Sequence, residues 1–120
     1  MSKEGPGFVV LYRWRLRPEA QDSFVQAWSR VSTLLKERGS LGSRLHRGSD
    51  GIWYSYAQWP SAESRAKAFA AGPADVEASS RMRAAILEEF PEVILDIRAD
   101  FISEPPVLPT GGESDSRSGG

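Results

Sequence analysis

Residues 52–60, IWYSYAQWP, carry the pattern that decides the fold, and two of the chain's four tryptophans lie among them. Successive side chains of a β-strand point to opposite faces. One face of a strand here carries Trp53, Ser55, Ala57 and Trp59. The other face carries Ile52, Tyr54, Tyr56 and Gln58. The stretch therefore predicts a strand whose two faces differ in chemistry and are both largely apolar or aromatic.

A hairpin is predicted around this strand. The preceding run GSRLHRGS, residues 42–49, is also strand-like, and Asp50-Gly51 supplies residues that tolerate a positive φ in a turn. On the other side Pro60 closes the strand, and residues 61–70, SAESRAKAFA, favour a helix that Gly72-Pro73 interrupts.

The N-terminal part predicts a strand followed by a helix. In residues 8–17, FVVLYRWRLR, one side carries Val10, Tyr12, Trp14 and Leu16, and the other carries Leu11, Arg13, Arg15 and Arg17. Pro18 suits the first turn of a helix because proline lacks only a donor that is unpaired there anyway. The apolar stripe of that helix is Phe24, Trp28, Val31, Leu34 and Leu35. Gly39 is placed to end it.

Toward the C-terminus, Asp75 is a predicted N-cap of a second helical segment that runs to Phe90 and ends at Pro91. Residues 92–102, EVILDIRADFI, alternate as a strand does. Residues 1–7 form a predicted leader and residues 103–120, rich in Pro, Gly and Ser, a predicted disordered tail. The single domain therefore spans residues 8–102.

The element order is β–α–β–β–α–β, which predicts an α+β, ferredoxin-like fold with a four-stranded antiparallel sheet and both helices on one face. Such helices leave the second face of the sheet uncovered, although the strands carry large apolar side chains on both faces. Monomers rarely expose so large a patch. We therefore expect a homodimer that packs sheet against sheet.

Composition excludes several classes of function. The chain has no cysteine, which excludes disulfides, thiolate metal sites and cysteine nucleophiles, and its single histidine cannot build a multi-histidine metal site. A formal net charge of −1 indicates no polyanionic partner. No apolar run reaches the length of a membrane span, and we expect a cytoplasmic protein.

Several segments resemble the antibiotic biosynthesis monooxygenase family, or ABM domain, of the dimeric α+β barrel superfamily. They are GSLGSRLHR (39–47), Asp50-Gly51, YAQWPS (56–61), the first strand, and the helix with Phe24 and Trp28. The resemblance covers about residues 8–102. It implies a dimeric α+β barrel with a pocket between sheet and helices. It also implies an oxygenase activity that needs no cofactor.

In the cofactor-independent oxygenases of the family, the third strand carries an asparagine four residues before a tryptophan. The tryptophan matches Trp59, whereas the asparagine position holds Ser55, which lacks the amide's paired donor and acceptor. A haem-degrading branch uses a histidine on the second helix. Residues 61–90 contain none, which disfavours haem.

The resemblance and the residue chemistry together nominate six site residues. His46 titrates near neutral pH and is a candidate base, and Arg44 is a candidate partner for an oxyanion. Trp59 completes the catalytic set. Trp28, Trp53 and Ser55 are candidate substrate-binding residues in an aromatic-lined pocket. The alternative for each aromatic residue is plain packing in the core or an interface, and for the charged residues a place at the surface.

Three functions stay open at this point. The first is a cofactor-independent monooxygenase that oxidises a small, electron-rich aromatic or polyketide-like compound. The second is a non-catalytic dimeric binding or accessory domain, which Ser55 in place of asparagine favours. The third is RNA binding, since RNA-recognition motifs share the topology, but the third strand lacks their basic-Gly-aromatic pattern. We expect a small-molecule ligand and no nucleic acid, metal or membrane partner.

Overall fold

The computed structural model describes residues 7–102 and has the predicted α+β topology. Its strands are β1 (Phe8–Leu16), β2 (Gly42–Arg47), β3 (Trp53–Trp59) and β4 (Ile86–Leu95). Its helices are α1 (Gln21–Lys36), α2 (Ala62–Ala70) and α3 (Val76–Ala85), and a short 3-10 helix, Pro18–Ala20, leads into α1. The predicted tail and residues 1–6 of the predicted leader lie outside the described residues. No helix among residues 7–102 has the length and hydrophobicity to cross a bilayer.

The four strands form one antiparallel sheet in the order β2-β3-β1-β4, which confirms the ferredoxin-like prediction. The register pairs Tyr12 with Ser55, and Trp14 with Trp53. Residues paired across antiparallel strands point to the same face. The aromatic residues of β1 and the alternating set of β3 therefore lie on one face, and the helices cover that face.

An aromatic cluster anchors α1 to the sheet. Phe24 is fully buried and meets Trp14 and Trp53 edge to face, with ring centroids 5.1 and 6.4 Å apart. Ala27, one turn further along α1, is also buried. The helix ends near Gly39, which takes a φ of 108° as the sequence predicts.

The hairpin between β2 and β3 is held by the side chain of Asp50. Its two carboxylate oxygens accept hydrogen bonds from the Ile52 backbone N–H at 2.9 Å and the Tyr54 hydroxyl at 2.6 Å. These bonds lower the pKa of Asp50, with the Tyr54 bond the largest cause. Gly51 provides the positive φ, 83°, that the turn requires.

The predicted boundary between the last helix and the last strand is wrong. The helix ends at Ala85 rather than Phe90, and β4 begins directly at Ile86, whose φ and ψ of −87° and 123° are extended. Pro91 lies inside β4 instead of ending a helix. It is tolerated because β4 is an edge strand and its register against β1 shifts between Leu11 and Arg13.

The predicted strand of residues 92–102 extends too far toward the C-terminus, since β4 ends at Leu95.

The uncovered face of the sheet carries half-buried Leu11, Tyr54 and Tyr56 and the more exposed Val93. Sheet-to-sheet dimerisation through this face stays a prediction.

Candidate functional site

A cavity of about 560 Å³ lies between the sheet and the three helices. Its walls are mostly aromatic or aliphatic and include Trp14, Trp28, Leu35, Trp59, Phe69 and Met82. The volume is within the range of small-molecule sites, which are typically apolar with a few placed polar groups. The cavity is therefore the candidate site.

Ser55 and Trp28 form a polar contact in the wall of the cavity. Ser55 is only 2% exposed, and its Oγ accepts a hydrogen bond from the indole Nε1 of Trp28 at 3.1 Å. The bond links β3 to α1 and satisfies two polar groups that would be costly to bury unpaired. It also fixes the indole plane of Trp28 against the cavity.

Trp59 ends β3 and is 1% exposed. Its ring meets Phe69 of α2 edge to face, with centroids 5.8 Å apart and planes at 84°. Among the described residues, no acceptor lies within hydrogen-bonding distance of its buried indole N–H. Trp59 thus joins the sheet to α2 and forms a rigid part of the cavity wall.

Tyr12, Arg65 and Glu92 form a polar cluster that also lines the cavity. Arg65 donates from Nη2 to the Tyr12 hydroxyl at 2.8 Å and to the two Glu92 carboxylate oxygens at 3.0 and 3.1 Å. The guanidinium also lies over the Phe69 ring, 4.9 Å from its centroid. Three elements, β1, α2 and β4, therefore converge on one charged hydrogen-bonded group.

Burial raises the pKa of Tyr12 above its ordinary value, because the phenolate form is poorly solvated there. The hydrogen bond and the positive charge of Arg65 act in the opposite direction but are smaller causes. Tyr12 therefore keeps its proton throughout the physiological range.

This pKa can be measured directly. We expect Tyr12 to ionise above pH 10.0, its ordinary value. Subtracting the tyrosinate absorbance titration of Tyr12→Phe from that of the wild type isolates the residue from Tyr54, whose pKa is raised by its bond to Asp50. A difference curve with its midpoint at or below pH 10 would contradict the burial argument.

The same shift has a consequence for stability. Because the folded-state pKa exceeds the unfolded value, the contribution of Tyr12 to stability is complete below pH 10 and is lost as the pH rises through the folded pKa. Urea unfolding at several alkaline pH values measures this loss. The free energy of unfolding of the wild type, relative to that of Tyr12→Phe, should fall as the pH rises from 10 through the folded-state pKa.

The structure places the six nominated residues in three locations: the cavity wall, the aromatic cluster and the opposite face of the sheet. Trp28, Ser55 and Trp59 lie together in the cavity wall. Trp53 has the cavity-side orientation but is buried in the aromatic cluster with Phe24 instead of lining the cavity.

Arg44 and His46 lie on the opposite face of the sheet. Both are exposed, and they pair with Tyr56 and Tyr54. The His46 ring nitrogen Nδ1 lies 3.4 Å from the Tyr54 carbonyl oxygen. The reason is strand alternation: Leu45 packs against the core, so its two neighbours must point away. They do not reach the cavity of their own chain.

Tyr12 and Arg65 are cavity residues that sequence reasoning missed. The alternation of β1 places Tyr12 on the same face as Trp14, and this pattern could have indicated that Tyr12 faces the cavity. Arg65 gives no such signal, since one arginine in a helix rich in charged residues is ordinary. Among residues 7–102, no group of three or more His, Cys, Asp or Glu side chains is arranged to hold a metal ion.

Comparison with known proteins identifies the family. The family model of antibiotic biosynthesis monooxygenases matches residues 7–81, more than half of the chain. The chain belongs to the antibiotic biosynthesis monooxygenase family. The match covers β1 through most of α3, and thus most of the cavity wall. No curated protein sequence matches the chain significantly.

Several solved structures share the fold at low sequence identity. SnoaB from Streptomyces nogalater, a cofactor-independent oxygenase, is 15% identical with a TM-score of 0.66, over 80% of this chain and 97% of that one. The monooxygenase ActVA-Orf6 of Streptomyces coelicolor, in complex with nanaomycin D, is 24% identical with a TM-score of 0.65, over 82% and 94%. Rv0793 from Mycobacterium tuberculosis is 15% identical with a TM-score of 0.63, over 78% and 96%.

Proposed function

We propose that this ABM protein is a cofactor-independent monooxygenase that oxidises a small, electron-rich aromatic compound in the cavity. For an anthrone-like substrate, the ring methylene becomes a carbonyl. One atom of O₂ enters the product, and the other leaves as water with the two methylene hydrogens. The substrate supplies all the electrons, so the balance needs no further reductant.

The observation that carries the proposal is the aromatic-walled cavity that contains Trp28, Ser55 and Trp59. Flat aromatic walls hold a flat ring in a defined position and keep water away from a reactive carbanion. The two Streptomyces relatives are named as oxygenases, which supports the same chemistry for this chain.

The proton of the substrate needs an acceptor inside the cavity. Since His46 lies on the other face of the sheet, we propose Glu92 instead, the only carboxylate among the described residues that line the cavity. Its side chain is 44% exposed, so a proton that it accepts can pass on to solvent.

Oxygen uptake tests the proposal. Chelator-treated protein is mixed with 1,8-dihydroxyanthrone in an oxygen electrode, and heat-denatured protein gives the rate of spontaneous oxidation. We expect uptake above that background and a quinone product. Trp59→Phe and Glu92→Gln should both lower the rate, and Glu92→Gln should lower it by roughly 100- to 10,000-fold because a base is lost. Uptake equal to the background across a panel of anthrones, naphthols and hydroquinones would refute the proposal.

The alternative is a dimeric domain that binds such compounds without oxidising them. The hydrogen bond between Ser55 and Trp28 favours a binding domain. Ser55 stands at the position where the cofactor-independent oxygenases of the family carry asparagine, and its hydroxyl already accepts from Trp28. Ser55→Asn discriminates between the two. In an enzyme this change alters the rate, whereas in a binding domain it alters affinity alone.

A further inference from the structure

Among the described residues, the Tyr12 hydroxyl accepts a hydrogen bond but has no acceptor for its own proton. A phenol hydroxyl donates one hydrogen bond and can also accept. Here its oxygen accepts from Arg65 at 2.8 Å, and within residues 7–102 it makes no hydrogen bond as a donor. Tyr12 lines the cavity, so its free proton lies beside the space that a ligand would occupy.

Arg65 is held firmly in the position that it needs to engage Tyr12. Its side chain is 17% exposed. Glu92 accepts from its Nη2 through both carboxylate oxygens, and the Phe69 ring lies beneath its guanidinium. A hydroxyl that accepts from a cation becomes a stronger donor, because the bonds polarise one another.

We propose that the Tyr12 hydroxyl donates a hydrogen bond to a carbonyl or phenolate oxygen of the aromatic ligand, with Arg65 and Glu92 as the residues that position it. The inference rests on the proposed use of the cavity as the substrate site. It narrows the ligand class to flat aromatic ketones and phenols whose oxygen lies at the edge of the ring system. Hydrocarbons of the same shape would lack the recognised atom.

The arrangement suits the proposed oxidation. When the substrate loses a proton, negative charge moves onto its ring oxygen, and a donor fixed at that oxygen stabilises the charge. Burial favours the protonated form of Tyr12, as its raised pKa shows, so the residue acts as a donor and not as the base. The proton acceptor and the oxyanion donor are then different groups in one cavity.

A pair of ligands that differ in one group tests the inference without any turnover. Fluorenone and fluorene have nearly the same shape, but only fluorenone has a carbonyl, and equilibrium dialysis measures the binding of each. We expect Tyr12→Phe to weaken fluorenone binding by about three- to tenfold, the effect of one net hydrogen bond. Fluorene binding should change by less than about twofold, since the ring that it contacts is retained.

The control variant is Tyr56→Phe, the same chemical change on the opposite face, where the hydroxyl accepts from Gln58 at 3.3 Å. It should leave the ratio of fluorenone to fluorene affinity unchanged. Arg65→Gln should shift that ratio in the same direction as Tyr12→Phe but by less. General damage to the cavity would weaken the binding of both ligands alike and leave the ratio of their affinities unaltered.

The two levels of the proposal fail in different ways. If both ligands bind the wild type and Tyr12→Phe leaves the ratio unchanged, the role of Tyr12 is overturned while the cavity remains a binding site. If neither ligand binds the wild type, the cavity is not an aromatic site, and this inference is overturned together with the proposed function.

Discussion

Replacing Phe24 with alanine should lower the free energy of unfolding by about 3 to 5 kcal/mol, the usual cost of truncating a fully buried phenylalanine. Phe24 is 0% exposed and lies between the rings of Trp14 and Trp53. The lost stability has two parts. One is the hydrophobic free energy of the deleted ring, and the other is the cost of the cavity that remains because two rigid indoles cannot move to fill it. Domains of this size have stabilities of about 5 to 15 kcal/mol, so the variant should be close to unfolding.

Urea unfolding followed by circular dichroism measures the change at a fixed protein concentration, because a dimer would make stability depend on concentration. The matched control is Val25→Ala, one residue further along α1, where the side chain is 37% exposed. It should cost less than about 1 kcal/mol. A loss below that figure for Phe24→Ala would show that the aromatic cluster does not anchor α1.

Local patterns predicted most of the fold because they depend on neighbours in the chain. The alternation of residues 8–17 and 52–60 fixed β1 and β3, and the spacing of Phe24 and Trp28 fixed α1. Asp50 and Gly51 marked the turn of the hairpin. In each case the residues that pack together in the structure also form a periodic pattern in the sequence.

The boundary of α3 and β4 could not be found in the same way. Residues 86–90, ILEEF, have apolar residues at helical spacing and three good helix formers, and no glycine separates them from α3. What makes them a strand is pairing with β1, a segment about seventy residues earlier, and the bond from the Arg17 N–H to the Ala85 carbonyl at 2.9 Å. Tertiary pairing therefore overrode local propensity.

Three of the nominated site residues, Trp28 on α1 and Ser55 and Trp59 on β3, lie in the cavity wall. The alternation of β3 puts Ser55 and Trp59 on one face, and the family resemblance implied that this face lines a pocket. The cluster of Tyr12, Arg65 and Glu92 comes from three elements, and its geometry depends on how α2 and β4 pack, which the sequence does not state. Leu45 is the apolar residue of β2 and packs against the core, so its neighbours Arg44 and His46 face the opposite side of the sheet, and their catalytic role stays a prediction.

Filling the cavity should abolish the proposed function while the fold remains. Ala57 lies between Ser55 and Trp59 in the cavity wall and is 8% exposed. A phenylalanine side chain at this position would project into the cavity and displace a flat ligand from the indole walls. A displacement of about 1 Å can lower a rate about 100-fold, so we expect oxygen uptake to fall at least that far and fluorenone binding to be lost.

The matched control is Ala66→Phe, which adds the same ring to the exposed side of α2 and does not line the cavity. It should keep both oxygen uptake and fluorenone binding. Urea unfolding shows whether each variant is folded; overpacking costs about 1 to 3 kcal/mol where a site is already full, and less where a void receives the added ring. If Ala57→Phe is folded and retains binding and uptake, the chemistry takes place elsewhere on the molecule and the cavity is only a packing defect beneath the helices.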